Sequence, residues 1–137
     1  MTSEGEAALA GASSASWVRR VRAGRDLAPL AGIPRVAEAL VGLLLDDSDT
    51  AVTRATAEAL ARTGTVAAVR LVARAVSLAD DQQSDWLWTG LHDVLAEPPG
   101  VPVPDLAAIC GELARDPEET VRRGAADILA WADGGGP

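Results

Sequence analysis

Residues 115–130 read RDPEETVRRGAADILA, and residues 46–61 read DDSDTAVTRATAEALA. Superposed at an offset of 69, Asp47 falls on Asp116, Val52 on Val121, Arg54 on Arg123, Ala57 on Ala126 and Leu60 on Leu129. About half that offset lands in SDWLWTGLHDVL, residues 84–95. There a shift of 35 places Leu87 on Val52, Leu91 on Thr56, Val94 on Ala59 and Leu95 on Leu60. The three segments share one apolar stripe at i, i+4, i+7 and i+8, the pattern of an amphipathic helix. A period of thirty-odd residues is what stacked helical repeats produce, because each unit has an apolar face that only its neighbour can cover.

A second set of helices alternates with the first. IPRVAEALVGLLLDD (33–47) resembles VPDLAAICGELARD (103–116), with Pro34 over Pro104, and TVAAVRLVARAVSLADD (65–81) takes the same place between them. Both prolines suit a first helical turn, where no amide hydrogen is needed. Gly32 and Thr63-Gly64 make short turns, and EPPGVPVP (97–104) makes a longer, stiffer one. The chain therefore reads as a disordered tail over 1–13, a helical stack over 14–132 and a flexible tail over 133–137. The first helix spans 14–31 with interruptions at Gly24 and Pro29, and its partner spans 34–45. Helices at 50–62 with 65–79, and 84–96 with 104–115, form two more pairs, and a last helix at 118–132 stands alone. The expected fold is all-α, a right-handed α/α superhelix of about three and a half pairs.

Composition agrees with helices. Of 137 residues, 48% are apolar, yet Phe and Tyr are absent and only four are Trp. Ala and Leu favour closely spaced helices, whereas strands draw on β-branched and aromatic residues. Net charge is −8, which argues against a phosphate backbone as the main partner. The charge is uneven: residues 14–35 carry Arg19, Arg20, Arg22, Arg25 and Arg35 against Asp26, and everything after 35 is strongly acidic. The acidic part suits a protein partner with a basic face. Cys110 is the one cysteine, so no internal disulfide forms and a reducing cytoplasm is the expected setting. No basic, apolar leader opens the chain and no apolar run approaches a membrane span, so no membrane partner is expected.

The segment DPEETVRRGAADILA closely resembles the first helix of a HEAT-type repeat, in which Asp-Pro and a spacer precede Val-Arg, then Ala-Ala and Leu. Asp116, Pro117, Val121, Arg122, Ala125, Ala126 and Leu129 occupy those places. The second copy keeps Asp47, Val52, Ala57 and Leu60 but has Ser48 for the proline and Thr53 for the arginine. The third departs further, with Trp86, Trp88 and Leu91 in place of small residues. The resemblance covers residues 46–132 and leaves the first thirty residues outside it. It implies an α/α superhelix of the kind used for binding proteins, and by itself identifies no partner.

Candidate chemistry is sparse. His92 is the single histidine, so zinc-type ligand sets are lacking, and Cys110 belongs with Leu106, Ile109 and Leu113 as a core residue. No enzyme activity, metal or cofactor is expected. Asp47, Asp49, Asp81, Asp85, Asp116, Glu118 and Glu119 sit at turns into helices, where they cap free amides. An Arg-to-turn-Asp ladder through Arg54 and Arg123 would be structural. With Leu87, Leu91, Val94 and Leu95 turned inward, Trp88 lies on the flank of the stripe and Trp86 roughly 100° or more outside it. Trp88 then seals a helix junction and Trp86 is the leading contact residue, while Trp17 and Trp131 cap the ends of the stack or join two copies. Second helices line the concave face of such stacks, so Arg35, Glu38, Arg70, Arg74, Asp105 and Glu112 join Trp86 and Trp88 in the expected partner surface. The function expected is protein binding, as an adaptor or a neutralising, immunity-type inhibitor in a bacterial cytoplasm. A homodimer through the Trp-bearing ends is the structural alternative. A nucleic-acid or small-ligand binder using Arg19, Arg20, Arg22 and Arg25 is the remaining one.

Overall fold

A computed structural model describes residues 1–98 and 100–132, and every regular element among them is helical. The helices are α1 (Ser3–Ala12), α2 (Trp17–Leu27), α3 (Pro34–Leu44), α4 (Thr50–Thr63), α5 (Val66–Leu78), α6 (Asp81–Leu95), α7 (Leu106–Leu113) and α8 (Glu119–Ala130), with a 3-10 turn at Ala28–Leu30. No described helix is long and apolar enough to cross a membrane.

The boundaries follow local chemistry. Pro34 opens α3 at its first turn. Asp49 caps α4 by accepting from the Ala51 amide at 2.9 Å, and Thr65 caps α5 by accepting from the Ala68 amide at 3.1 Å. Between them Gly64 adopts φ 67, the left-handed conformation that ends a helix and that other L-residues resist. A side chain there would also meet Pro104, whose ring lies 2.6 Å from where a Cβ would stand. α6 begins three residues before the expected Ser84. Asp80 and Gln83 form a capping box there, each side chain accepting from the other's backbone amide at 2.8 and 2.9 Å. Pro104 does not open α7. Asp105 does, as its N-cap, so α7 is shorter than the expected 104–115.

Two rows of helices carry the core. In one, α2 packs on α4 and α4 on α6; in the other, α3 packs on α5 and α5 on α8. α4 and α5 sit in the middle and bury six residues each: Val52, Thr53, Thr56, Ala57, Leu60 and Ala61, and Ala68, Val69, Leu71, Val72, Ala73 and Ala75. α1 covers α2, and α7 lies against α8 and α5.

Three features depart from the sequence reading. Residues 3–12, expected as a disordered tail, form a helix that buries Gly5, Ala8 and Gly11, sets Gly11 against Ala23 of α2 and ties Glu6 to Arg35 of α3. Its contact face is made of small residues, so no stripe of large apolar side chains announces it. Gly24 does not interrupt α2, which ends instead near Pro29. Glycine is needed within α2 because the Thr56 hydroxyl of α4 lies 2.7 Å from where its Cβ would stand. Finally, α8 does not continue the row of α6, which it meets through Trp131 on Trp88, but lies along α5. The 133–137 tail expected as flexible falls outside the described residues.

Burial also corrects the repeat register. α6 buries Leu87, Gly90, Leu91 and Val94, and α8 buries Val121, Gly124, Ala125 and Ile128, which coincide at an offset of 34. The matching α4 residues, Thr53, Thr56, Ala57 and Leu60, are buried too. Leu95, placed inward by the 35-residue shift, is 40% exposed. Because α4 is covered from several sides it buries positions of both stripes, so residue identities alone favour the wrong one.

Candidate functional site

The residues expected to meet a partner are spread over several helices. They lie on α3, α5, α6 and α7 or at a helix cap, and most are engaged within the chain. Arg70 donates to Asp116 at 2.8 and 3.2 Å and pairs with Glu118, to which Arg74 also donates at 3.0 Å. The Arg70 guanidinium, through hydrogen bonding above all, holds the Asp116 carboxyl below its ordinary range, and the same side chain depresses Glu118. These pairs clamp the turn before α8 onto α5. Arg35 pairs with Glu6, and the Asp105 carboxylate accepts from the Ala108 amide at 3.0 Å as a cap. Glu38 and Glu112 are exposed, on different helices.

Trp88 is half-buried against the core and stacks on Trp131 with ring centroids 5.3 Å apart, sealing the junction between α6 and the end of α8. Trp86 is half-buried as well, with the Arg54 guanidinium 6.0 Å from its ring centroid. Arg54 is itself held by Asp93 of α6 at 2.7 and 3.0 Å, so the expected link from Arg54 to a turn aspartate is a link between helices instead. Arginines do bind turns, but at other positions. Arg20 donates to Asp46 at 3.1 Å and to the Ser14 and Ala15 carbonyls at 2.9 and 3.1 Å. Arg122 makes the same grip on the Asp116 and Pro117 carbonyls, at 2.7 and 3.0 Å. In both cases the acceptors lie six and five residues before the arginine. Arg123 is exposed.

What the structure does assemble lies at the N-terminal end. A groove of about 720 Å³ runs between α1 and α2. Its α1 wall carries Gly5, Ala8 and Gly11, and its α2 wall carries Arg19, Arg22, Ala23 and Arg25, with Glu4 and Asp26 also lining it. Arg22, Arg25 and Asp26 are shared with a smaller depression beside Trp17, Val18 and Val21, and Arg25 also borders a third, over Ala55, Glu58 and Ala59 of α4. Trp17 and Val18 are 49% and 50% exposed. Arg19, Arg22 and Arg25 are exposed and pair with no acid among the described residues. Of the basic cluster visible in the sequence, Arg20 and Arg35 are spent on structure.

The geometry has a local cause. Ser16 caps α2, and Trp17 and Val18 fall in its first turn. Val21, Gly24 and Leu27 face inward, which leaves 19, 22 and 25 outward. The groove exists because α1 approaches through small residues: a Cβ on Gly11 would lie 3.5 Å from that of Ala23. Sequence reasoning missed this wall. The usable signals were the Thr2 cap, which accepts from the Gly5 amide at 3.2 Å, and Glu4 and Glu6 in the first turn, where acids oppose the helix dipole. Planar guanidiniums so placed can take carboxylates or other planar anions in paired hydrogen bonds. No family model, curated protein or solved structure matches the chain.

Proposed function

We propose that this chain is a non-enzymatic protein-binding module whose contact surface is the α1–α2 groove with its Trp17–Val18 flank. The observation that carries the reading is the joining of half-exposed Trp17 and Val18 to arginines that have no partner among the described residues. Tryptophan and arginine dominate the energetic centres of protein interfaces, and a tryptophan left in water on an isolated chain is costly. The resemblance of residues 46–61 and 115–130 to HEAT-type repeats, together with the two helix rows, supports a small HEAT-like scaffold as the support of that surface. Its roles are those of an adaptor or a neutralising inhibitor in a reducing cytoplasm. The acidic remainder suits a partner whose body is basic; the groove itself has the opposite sign.

The test is paired affinity capture from the native cell lysate with the wild type and a Trp17→Ala/Arg22→Ala variant that unfolds at the same temperature. A stoichiometric protein held by the first and lost by the second is the expected result. Equal capture by both, or none by either, overturns the reading. Light scattering decides the homodimer alternative, since association through Trp17 gives twice the 14.0 kDa chain mass and the variant restores the monomer.

A further inference from the structure

We infer that the α1–α2 groove takes an acidic segment of a partner protein, one with several Asp or Glu residues and an apolar side chain that covers Trp17; this rests on the reading of that face as a protein-binding surface. Arg19, Arg22 and Arg25 succeed one another at every third residue of α2, so they rise along the groove by roughly 4.5 Å per step. Carboxylates three or four apart on a helix, or on alternate residues of an extended chain, come at comparable intervals. Each guanidinium offers a planar pair of donors that matches a carboxylate, and the neighbouring Trp17–Val18 surface gives an apolar residue somewhere to go.

A long polyanion fits less well. Glu4 and Asp26 stand in the same groove, where they repel a continuous phosphate chain but leave gaps that a mixed peptide fills with a neutral or basic residue. The chain carries −8 overall, so a nucleic acid that extends beyond the groove meets a surface of its own sign. A short segment confined to the groove is screened from most of that surface, because charges more than about 8–10 Å away fade at physiological salt. A second copy of the chain is disfavoured by the same net charge.

The experiment is selection of a random short-peptide display library on the full chain and, in parallel, on an Arg22→Glu/Arg25→Glu variant. Enrichment of acidic sequences with at least one large apolar residue is expected on the wild type, with about tenfold weaker binding to the variant and at raised salt. Enriched sequences with no acidic bias that still lose binding in the variant would overturn the acidic occupant and leave the protein-binding reading standing. No enriched sequence at all overturns both. Acidic sequences that bind the variant equally well place their site elsewhere and overturn the proposal, as does a single-stranded oligonucleotide that displaces the selected peptides at lower concentration than they displace one another.

Discussion

Gly124 of α8 rests directly on the backbone of Ala73 in α5: a Cβ built on Gly124 would lie 1.7 Å from the Ala73 carbonyl oxygen. No side-chain adjustment relieves a clash with backbone. Gly124→Ala must push the helices apart, and Ala125 and Ile128, fully buried on the same face, move with it. Alanine's better helix propensity returns at most about 1 kcal/mol. The expected result is a net destabilisation of about 3 kcal/mol, read from urea unfolding. A variant as stable as the wild type would mean that α8 does not lie on α5 this closely.

The opposite sign is expected at Gly42 and Gly111. Both lie inside helices, α3 and α7, and nothing stands within 4 Å of where their Cβ would be. Alanine there removes conformational freedom from the unfolded chain and costs the native state nothing. Each substitution should raise stability by about 0.5 kcal/mol. The same unfolding measurement checks them, and a loss at either site would contradict its open surroundings.

The clamp between α5 and the turn before α8 predicts a pH dependence. Asp116 is held below its ordinary pKa by Arg70, so the folded state binds the carboxylate form more strongly than the unfolded state does. Its stabilising effect is fully present above the unfolded carboxyl pKa of about 3.9, and is lost as pH falls through the lower folded value. At pH 7, Arg70→Ala should cost about 1 kcal/mol, a modest figure because the guanidinium is partly in water. The stability difference between wild type and Asp116→Asn should shrink as pH falls below about 4. A difference that stays constant into acid would show that the carboxylate contributes little as a charge.

Local chemistry made part of the architecture legible and long-range packing hid the rest. α3, α4 and α5 match their expected spans within about a residue because Pro34, Asp49, Gly64 and Thr65 act on their own neighbours. α8 was legible as a helix but not in its place, since that depends on Gly124 meeting Ala73 and on Arg70 reaching Asp116 across 46 residues. The site follows the same division. That Trp86 and Trp88 lie on opposite flanks of the α6 stripe could be read from periodicity, although about the observed stripe of Leu87, Gly90, Leu91 and Val94 both are half-buried and periodicity does not rank them. Whether an outward arginine is spent or available could not be read, because that depends on which acid the fold brings near. Arg70 and Arg74 found Asp116 and Glu118, whereas Arg22 and Arg25 found a groove made by a helix with no large apolar stripe.

Trp131 and Trp17 separate structural support from the proposed contact. Trp131 stacks on Trp88 and closes the space between α6 and the end of α8. Trp131→Ala should cost about 2 kcal/mol through lost burial and ring contact. Trp17→Ala, at a half-exposed position, should change stability by less than about 0.5 kcal/mol. Thermal unfolding of both variants is the measurement. If Trp17→Ala proves the more damaging, Trp17 belongs to the core and its part in the proposed surface falls.

Cys110 reports on the opening of α7. Its side chain is buried, and burial pushes the thiol pKa up to about 11. At pH 8 only about one thiol in a thousand would then be ionised even if it were reachable, against roughly a quarter of an ordinary thiol with pKa about 8.5. Reaction with a thiol reagent such as DTNB must wait for α7 to leave α8 and α5. The expected rate in native buffer is at least about a thousandfold below that in strong urea. Gly124→Ala, which loosens the helix against which α7 packs, should raise it. Native labelling at the rate of an ordinary thiol would show that α7 is not held in place, and with it that the closure of this end of the fold is wrong.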